Sequence, residues 1–99
     1  MANTKDLYQT DSAVLKVRIM DIDDGFAEYD EARLVRIMSK KYTILIMRSY
    51  TPTIGEIDGS VDILLKDKEI NYRNIKAFYS FQNNQFVLLI KEKGEQNVW

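Results

Sequence analysis

The chain has 99 residues, 45% of them hydrophobic and 29% charged, with 14 Lys plus Arg against 15 Asp plus Glu and a formal net charge of −1. That balance fits one folded domain with a single compact core and lacks the basic excess of a dedicated nucleic-acid binder. The sequence has no cysteine, which excludes a disulfide framework and a thiolate zinc site, and no histidine, which removes the commonest general base and metal ligand.

No apolar run approaches the roughly 18 residues of a membrane-spanning helix. Residues 1–12 are polar and mixed in charge, without the apolar segment of a secretory signal. The expectation is a cytoplasmic protein with no direct membrane insertion. Its organisation reads as a polar N-terminal tail over 1–12, a single β domain over 13–92 and a C-terminal tail over 93–99.

Hydrophobic periodicity is close to two almost everywhere, the signature of strands. Leu15-Lys16-Val17-Arg18-Ile19 alternates apolar with basic residues and predicts a half-buried strand. Asp23-Asp24-Gly25 predicts a turn, because glycine accepts the positive φ that tight turns need. Phe26 to Tyr29 reads as a short return strand with Ala27 and Tyr29 inward, followed by a turn of helix around Asp30 to Arg33. Leu34 to Met38 and Thr43 to Met47 are apolar on both faces and predict a pair of central strands joined across Ser39 to Tyr42. Ser49 to Ile54 holds the only proline, Pro52, and reads as a loop, since proline cannot donate to a ladder.

In the next strand Ile57, Val61, Ile63 and Leu65 share one face and Ser60 and Asp62 the other, with Gly59 placed for a bend or bulge. Asp67-Lys68 reads as a turn. Ile75, Ala77, Tyr79 and Phe81 then alternate with polar neighbours, and Gln82-Asn83-Asn84-Gln85 is a strong hairpin signal. Phe86, Leu88 and Ile90 line the last strand. The pattern predicts an all-β fold, a small antiparallel β-sandwich or flattened barrel of about seven to eight strands. Its expected core is Val17, Ile19, Val35, Ile37, Ile44, Ile46, Val61, Ile63, Ile75, Phe86, Leu88 and Ile90.

Candidate chemistry is sparse, and no catalytic, cofactor-binding or metal-ligating residue is expected. The acidic cluster Asp21, Asp23, Asp24, Glu28, Asp30 and Glu31 fails the calcium-loop test, because counting from Asp21 the glycine comes a position early and Ala32 stands where the bidentate glutamate belongs. It reads as a solvated turn. The serines have no histidine to activate them, and a Ser39–Lys40 or Ser39–Lys41 pair has no oxyanion motif beside it. Glu56 and Asp58 resemble a carboxylate pair only in spacing. The aromatics Tyr72, Phe78, Tyr79, Phe81 and Phe86, with Lys76 near them on that strand, lack the regularly interleaved Lys and Arg of a base-stacking platform. Phe78, on the face opposite Tyr79, instead points to an exposed apolar patch of the kind that marks protein contacts.

The order of features is similar to the N-terminal β-sandwich of the ATP synthase epsilon subunit. Leu15 to Ile19, Gly25 and Phe26 to Tyr29 match its opening strand, glycine turn and aromatic return strand. Met47-Arg48-Ser49-Tyr50-Thr51-Pro52 stands where that family has a Pro-Gly-His-x-Pro loop, and Gly59-Ser60-Val61-Asp62-Ile63 follows as its glycine-bearing strand. Ala77-Phe78 and Asn84 to Leu89 correspond to its closing strand and Asn-turn hairpin, with Lys76-Ala77 in place of Gly-Gly and Tyr50 in place of the loop histidine. The resemblance covers about residues 14 to 92. It implies a rotor-stalk component that grips the gamma subunit with one face and the membrane c-ring with the other, transmitting torque without touching nucleotide. The helical hairpin by which that family restrains ATP hydrolysis has no counterpart after Glu92, so inhibition and ATP sensing are not carried over.

The residues themselves predict an interaction module rather than an enzyme. The partner is expected to be a protein, without nucleic acid and without a cofactor. An adaptor or self-associating domain, pairing through an open sheet edge, is the alternative. The candidate contact residues are Tyr50, Thr51, Pro52 and Ile54 on the loop, Phe78 on the sheet face and Trp99 at the end of the chain.

Overall fold

A computed structural model describes residues 14–94. It holds seven strands: β1 (Leu15–Asp21), β2 (Gly25–Ala32), β3 (Leu34–Ser39), β4 (Thr43–Ile46), β5 (Thr53–Leu64), β6 (Glu69–Gln82) and β7 (Gln85–Lys93). They form one sheet in the order β2-β1-β7-β6-β5-β3-β4, open at β2 and β4 rather than closed into a barrel. The all-β reading and the strand number hold. The sheet is mixed, however, because β7 returns beside β1 in parallel, from Lys16 opposite Gln85 to Asp21 opposite Ile90. Sequence patterning reports faces and turns, not which distant strands meet, so this pairing leaves no local signal.

Four local expectations are corrected. Asp30 to Ala32 end β2 instead of forming a turn of helix, and the Arg33 amide donates to the Leu64 carbonyl at 2.7 Å. β4 is an edge strand, so the doubly apolar runs of β3 and β4 leave Met38 and Leu45 exposed rather than centrally buried. β5 begins at Thr53, which places Ile54 on a strand directly after Pro52. β7 extends through Lys93.

Two long strands let one sheet serve two halves. Residues 53–59 of β5 pair with 75–81 of β6, which passes on to β7 and β1; residues 61–64 of β5 pair with 69–72 of β6, and β5 hands on to β3 and β4. The register of β5 on β6 shifts between Gly59 and Val61. A Cβ at Gly59 would lie 2.1 Å from the Met38 carbonyl oxygen, so close approach of β3 demands glycine there. On β6 the bend falls at Asn74, with φ of 55°, followed by a register shift against β7 between Lys76 and Ala77.

One face of the sheet carries the core. Val17, Ile19, Val35, Ile37, Ile46, Val61, Ile63, Ile75, Phe86, Leu88 and Ile90 are all buried as expected, and Ile44 packs half-buried against them. Buried side chains from both halves of the sheet belong to one core cluster. Each buried aliphatic side chain contributes about 1.5–3 kcal/mol. Tyr79 stacks on Phe86 at 5.9 Å between ring centroids. The Asn83-Asn84 hairpin forms with both residues at positive φ, 51° and 57°.

Candidate interaction surface

The acidic cluster resolves into structure. The Asp21 carboxylate accepts the amides of Asp23 at 2.8 Å and Asp24 at 3.3 Å, and pairs with Lys93 at 2.9 Å. Burial pushes its carboxyl up, but Lys93 and the two turn amides outweigh that and hold it below the ordinary aspartate range. Lys93 also reaches Asp24 at 2.7 Å. Glu28 pairs with Arg18 at 2.7 Å and Asp30 with Lys16 at 3.8 Å. Ser39 is structural as well: its hydroxyl accepts the Asp58 amide at 3.0 Å, pinning the β3–β4 turn to β5. Tyr42 donates its hydroxyl to the Glu56 carbonyl, and burial, then Tyr79 and Glu56, push its pKa up to about 12.

Away from the core, the outer face of the sheet carries two contrasting rows. The first crosses β2, β1, β7 and β6. Phe26 stands opposite Met20, Met20 opposite Leu89, and Leu89 opposite Phe78, with Glu56 of β5 next in line. At about 4.8 Å per strand, these four apolar side chains span about 14 Å. All face outward: Phe26 is 58% exposed, Leu89 44% and Phe78 40%. The neighbouring row adds Val87 and, beyond Ser80, Ile54, which is 79% exposed. Ile54, Phe78, Val87 and Leu89 line a shallow depression of about 500 Å³, and Met20, Ile22 and Leu89 line a second beside it. Lys91 places its Nζ 4.0 Å from the centre of the Phe78 ring, a cation–π contact at the margin of the patch.

The second row crosses β4, β3, β5 and β6, where Leu45, Arg36, Asp62 and Asn71 stand opposite one another. Asp62 points outward yet its side chain is only 2% exposed. Arg36 donates to it from Nε at 3.0 Å and Nη2 at 2.7 Å, and Asn71 from Nδ2 at 2.5 Å, while Arg73 lies at 3.9 Å. Burial pushes the Asp62 carboxyl up, and Asn71 and Arg36 more than reverse it, so it stays below the ordinary range. Glu69 completes the cluster, accepting from Asn71 at 2.9 Å and lying 3.5 Å from Arg36.

The candidate contact residues divide. Ile54 and Phe78 belong to the apolar face. Thr51 and Pro52 are exposed at its end, in the β4–β5 connection. Tyr50 turns the other way: its ring meets Phe81 of the core edge-on at 6.3 Å, capping the end of the inner face. Trp99 lies outside the described residues. Met20, Ile22, Phe26, Val87 and Leu89 were not singled out by sequence. The signal was present in Val87-Leu88-Leu89-Ile90, an unbroken apolar run on a strand with one buried face, and in Met20, which breaks the apolar–basic alternation of β1.

No protein-family model and no curated protein matches the sequence. Among solved structures, the fold is similar to a chain in the cryo-EM structure of the Tetrahymena thermophila mitochondrial ATP synthase central stalk and c-ring. The TM-score is 0.64 at 7% sequence identity, covering 79% of this chain and 63% of that chain, less than two thirds of its length. At that identity the likeness shows a shared fold.

Proposed function

We propose that this chain is a non-catalytic protein-interaction module that docks a partner on the outer apolar face of β2, β1, β7 and β6. The observation that carries the reading is the continuous row Phe26, Met20, Leu89 and Phe78, apolar and uncovered across four strands. Isolated apolar residues on a surface need no explanation, but an aligned row with Ile54 and Val87 beside it does. The polar groups that chemistry would need are already engaged: Ser39 with the Asp58 backbone, Asp21 with Lys93, Asp62 with Arg36 and Asn71.

In its sharper form the reading is a rotor-stalk component of an ATP synthase, holding the gamma subunit and meeting the c-ring. The order of sequence motifs and the stalk-and-ring neighbour in fold both support it. The test is a pull-down of the tagged protein from its own cells at moderate salt, read by mass spectrometry. Stoichiometric recovery of the gamma, alpha and beta subunits is the expected result. Recovery of the protein alone, or with an unrelated partner, removes the rotor reading. A mass in solution that rises with concentration would assign the apolar face to a second copy of the chain instead.

A further inference from the structure

The two edges of the sheet are built differently. β2 carries Glu28, Asp30 and Glu31, two of them in ion pairs with β1, and charged edges of this kind resist added strands. Among the described residues β4 pairs with β3 alone, and Thr43 to Met47 contain no charge. Its hydrogen-bonding phase is set at the turn, where Ser39 and Tyr42 exchange both amide–carbonyl bonds, at 2.8 and 3.3 Å. Antiparallel pairs alternate, so Ile44 and Ile46 bond inward to Ile37 and Val35. Thr43 and Leu45 therefore turn their amides and carbonyls to the open edge. Both side chains are exposed.

The flanks of this edge are basic. Lys40 and Lys41 precede it, Arg48 follows it, and all three are exposed. Lys40 lies 3.6 Å from Asp58; Lys41 and Arg48 have no ion pair among the described residues. An antiparallel pairing of β4 with β4 of a second copy would set Lys40 and Lys41 against Arg48, so the charges oppose that occupant. They favour an extended strand with acidic residues at both ends.

We propose that the open edge of β4 accepts an extended segment of a partner protein as an eighth strand, one with an uncharged, β-branched centre and acidic flanks. The Thr43 and Leu45 backbone supplies its hydrogen bonds, and Lys40, Lys41 and Arg48 select its ends. This surface is separate from the apolar face and stands or falls without it.

The probe is a synthetic peptide of alternating Thr and Val with paired aspartates at each end, compared with the same peptide carrying lysines. Titration of the whole protein, followed by amide exchange in NMR, is expected to show saturable binding of the aspartate form that weakens with salt. Protection should rise at the Thr43 and Leu45 amides. The lysine form should bind about tenfold more weakly, since several flanking pairs each change sign. Leu45→Pro removes an amide that β3 does not use and should abolish binding with the fold retained. If that variant fails to fold, Lys41→Glu serves instead and should erase most of the preference for aspartate. Equal binding of both peptides, no binding of either, or protection at Phe78 and Leu89 instead of Thr43 and Leu45 would overturn the proposal.

Discussion

The two outer rows face the same solvent and solve it in opposite ways. On the β3–β5 side even an outward carboxylate, Asp62, is buried, because Arg36, Asn71, Arg73 and Glu69 close over it and satisfy one another. On the β1–β7 side Phe26, Met20, Leu89 and Phe78 stay exposed, with Lys91 reaching over one face of the Phe78 ring, and Ile54 stands almost bare. A surface whose polar groups find partners within the chain has little left to offer another molecule. A surface whose apolar groups stay wet gains about 25 cal/mol for each Å² that a partner covers. The contrast sets the proposed docking row against a polar row that satisfies itself, and that division can be tested.

The largest expected effect separates inside from outside on one strand. Leu88 is buried and Leu89 is its neighbour on the outer face. Leu88→Ala should cost about 3 kcal/mol, in the range for emptied core sites. Leu89→Ala should cost less than about 1 kcal/mol, because its side chain is already half in water. Urea denaturation of both variants checks this. Equal losses would mean that the row holding Leu89 is a second core surface and not a docking face.

Next comes the joint between the two halves. Gly59→Ala would drive a Cβ into the backbone of Met38, and backbone has no rotamer by which to move aside. The expected loss is about 3 kcal/mol, at the upper end for overpacking. It should appear as a lower denaturation midpoint with the secondary-structure spectrum retained. A variant of wild-type stability would show that β3 can drift from β5 without cost.

The polar row is sharpened by pH. Asp62 is held below the ordinary aspartate value, so the folded chain takes up its proton less readily than the unfolded chain does. The stability it contributes is present above about pH 4, the unfolded value, and is lost as pH falls through the lower folded value. Asp62→Asn should cost about 1–3 kcal/mol at neutral pH by weakening charge-assisted bonds. It should also flatten the acid limb of the stability profile, measured from pH 7 to pH 3. Asp21, held low in the same direction, keeps part of that limb in the variant. An unchanged acid limb would mean that Arg36 and Asn71 do not favour the charged form.

Much of this division was legible in the sequence. Period-two patterning placed the inner face, because a strand sends alternate side chains to opposite sides and each apolar partner of a polar neighbour must face inward. The Asn83-Asn84 and Gly25 turns were legible because only a few residues tolerate their backbone. Long-range pairing was not: β7 lies parallel to β1 by a contact between the two ends of the domain, and no local pattern encodes it. That omission hid the apolar row. Met20 and Leu89 each break the pattern of their own strand, but they become one surface only when β1 and β7 are adjacent. Tyr50 read as a contact residue from its place in a loop; it is exposed and also sets its ring edge-on against Phe81. Asp62 gave no warning of its burial, since the arginine that covers it comes from β3.

The smallest expected effect on stability carries the greatest weight for function. Phe78→Glu replaces an outward aromatic by a carboxylate beside Lys91, which already sits over the ring. The change removes one cation–π contact and part-buried ring area and sets a carboxylate opposite Glu56, while giving the lysine an ion partner, so stability should fall by less than about 1 kcal/mol. Docking is another matter. A charge at the centre of a buried apolar contact is left unpaired unless the partner happens to meet it, at a cost of several kcal/mol. The variant should therefore melt close to the wild type and lose whatever the wild type recovers through this face in a pull-down at matched expression. Recovery of the same partners in the same proportion would move the docking site off the apolar row. Because the Phe78 variant keeps its fold, that result could not be blamed on unfolding.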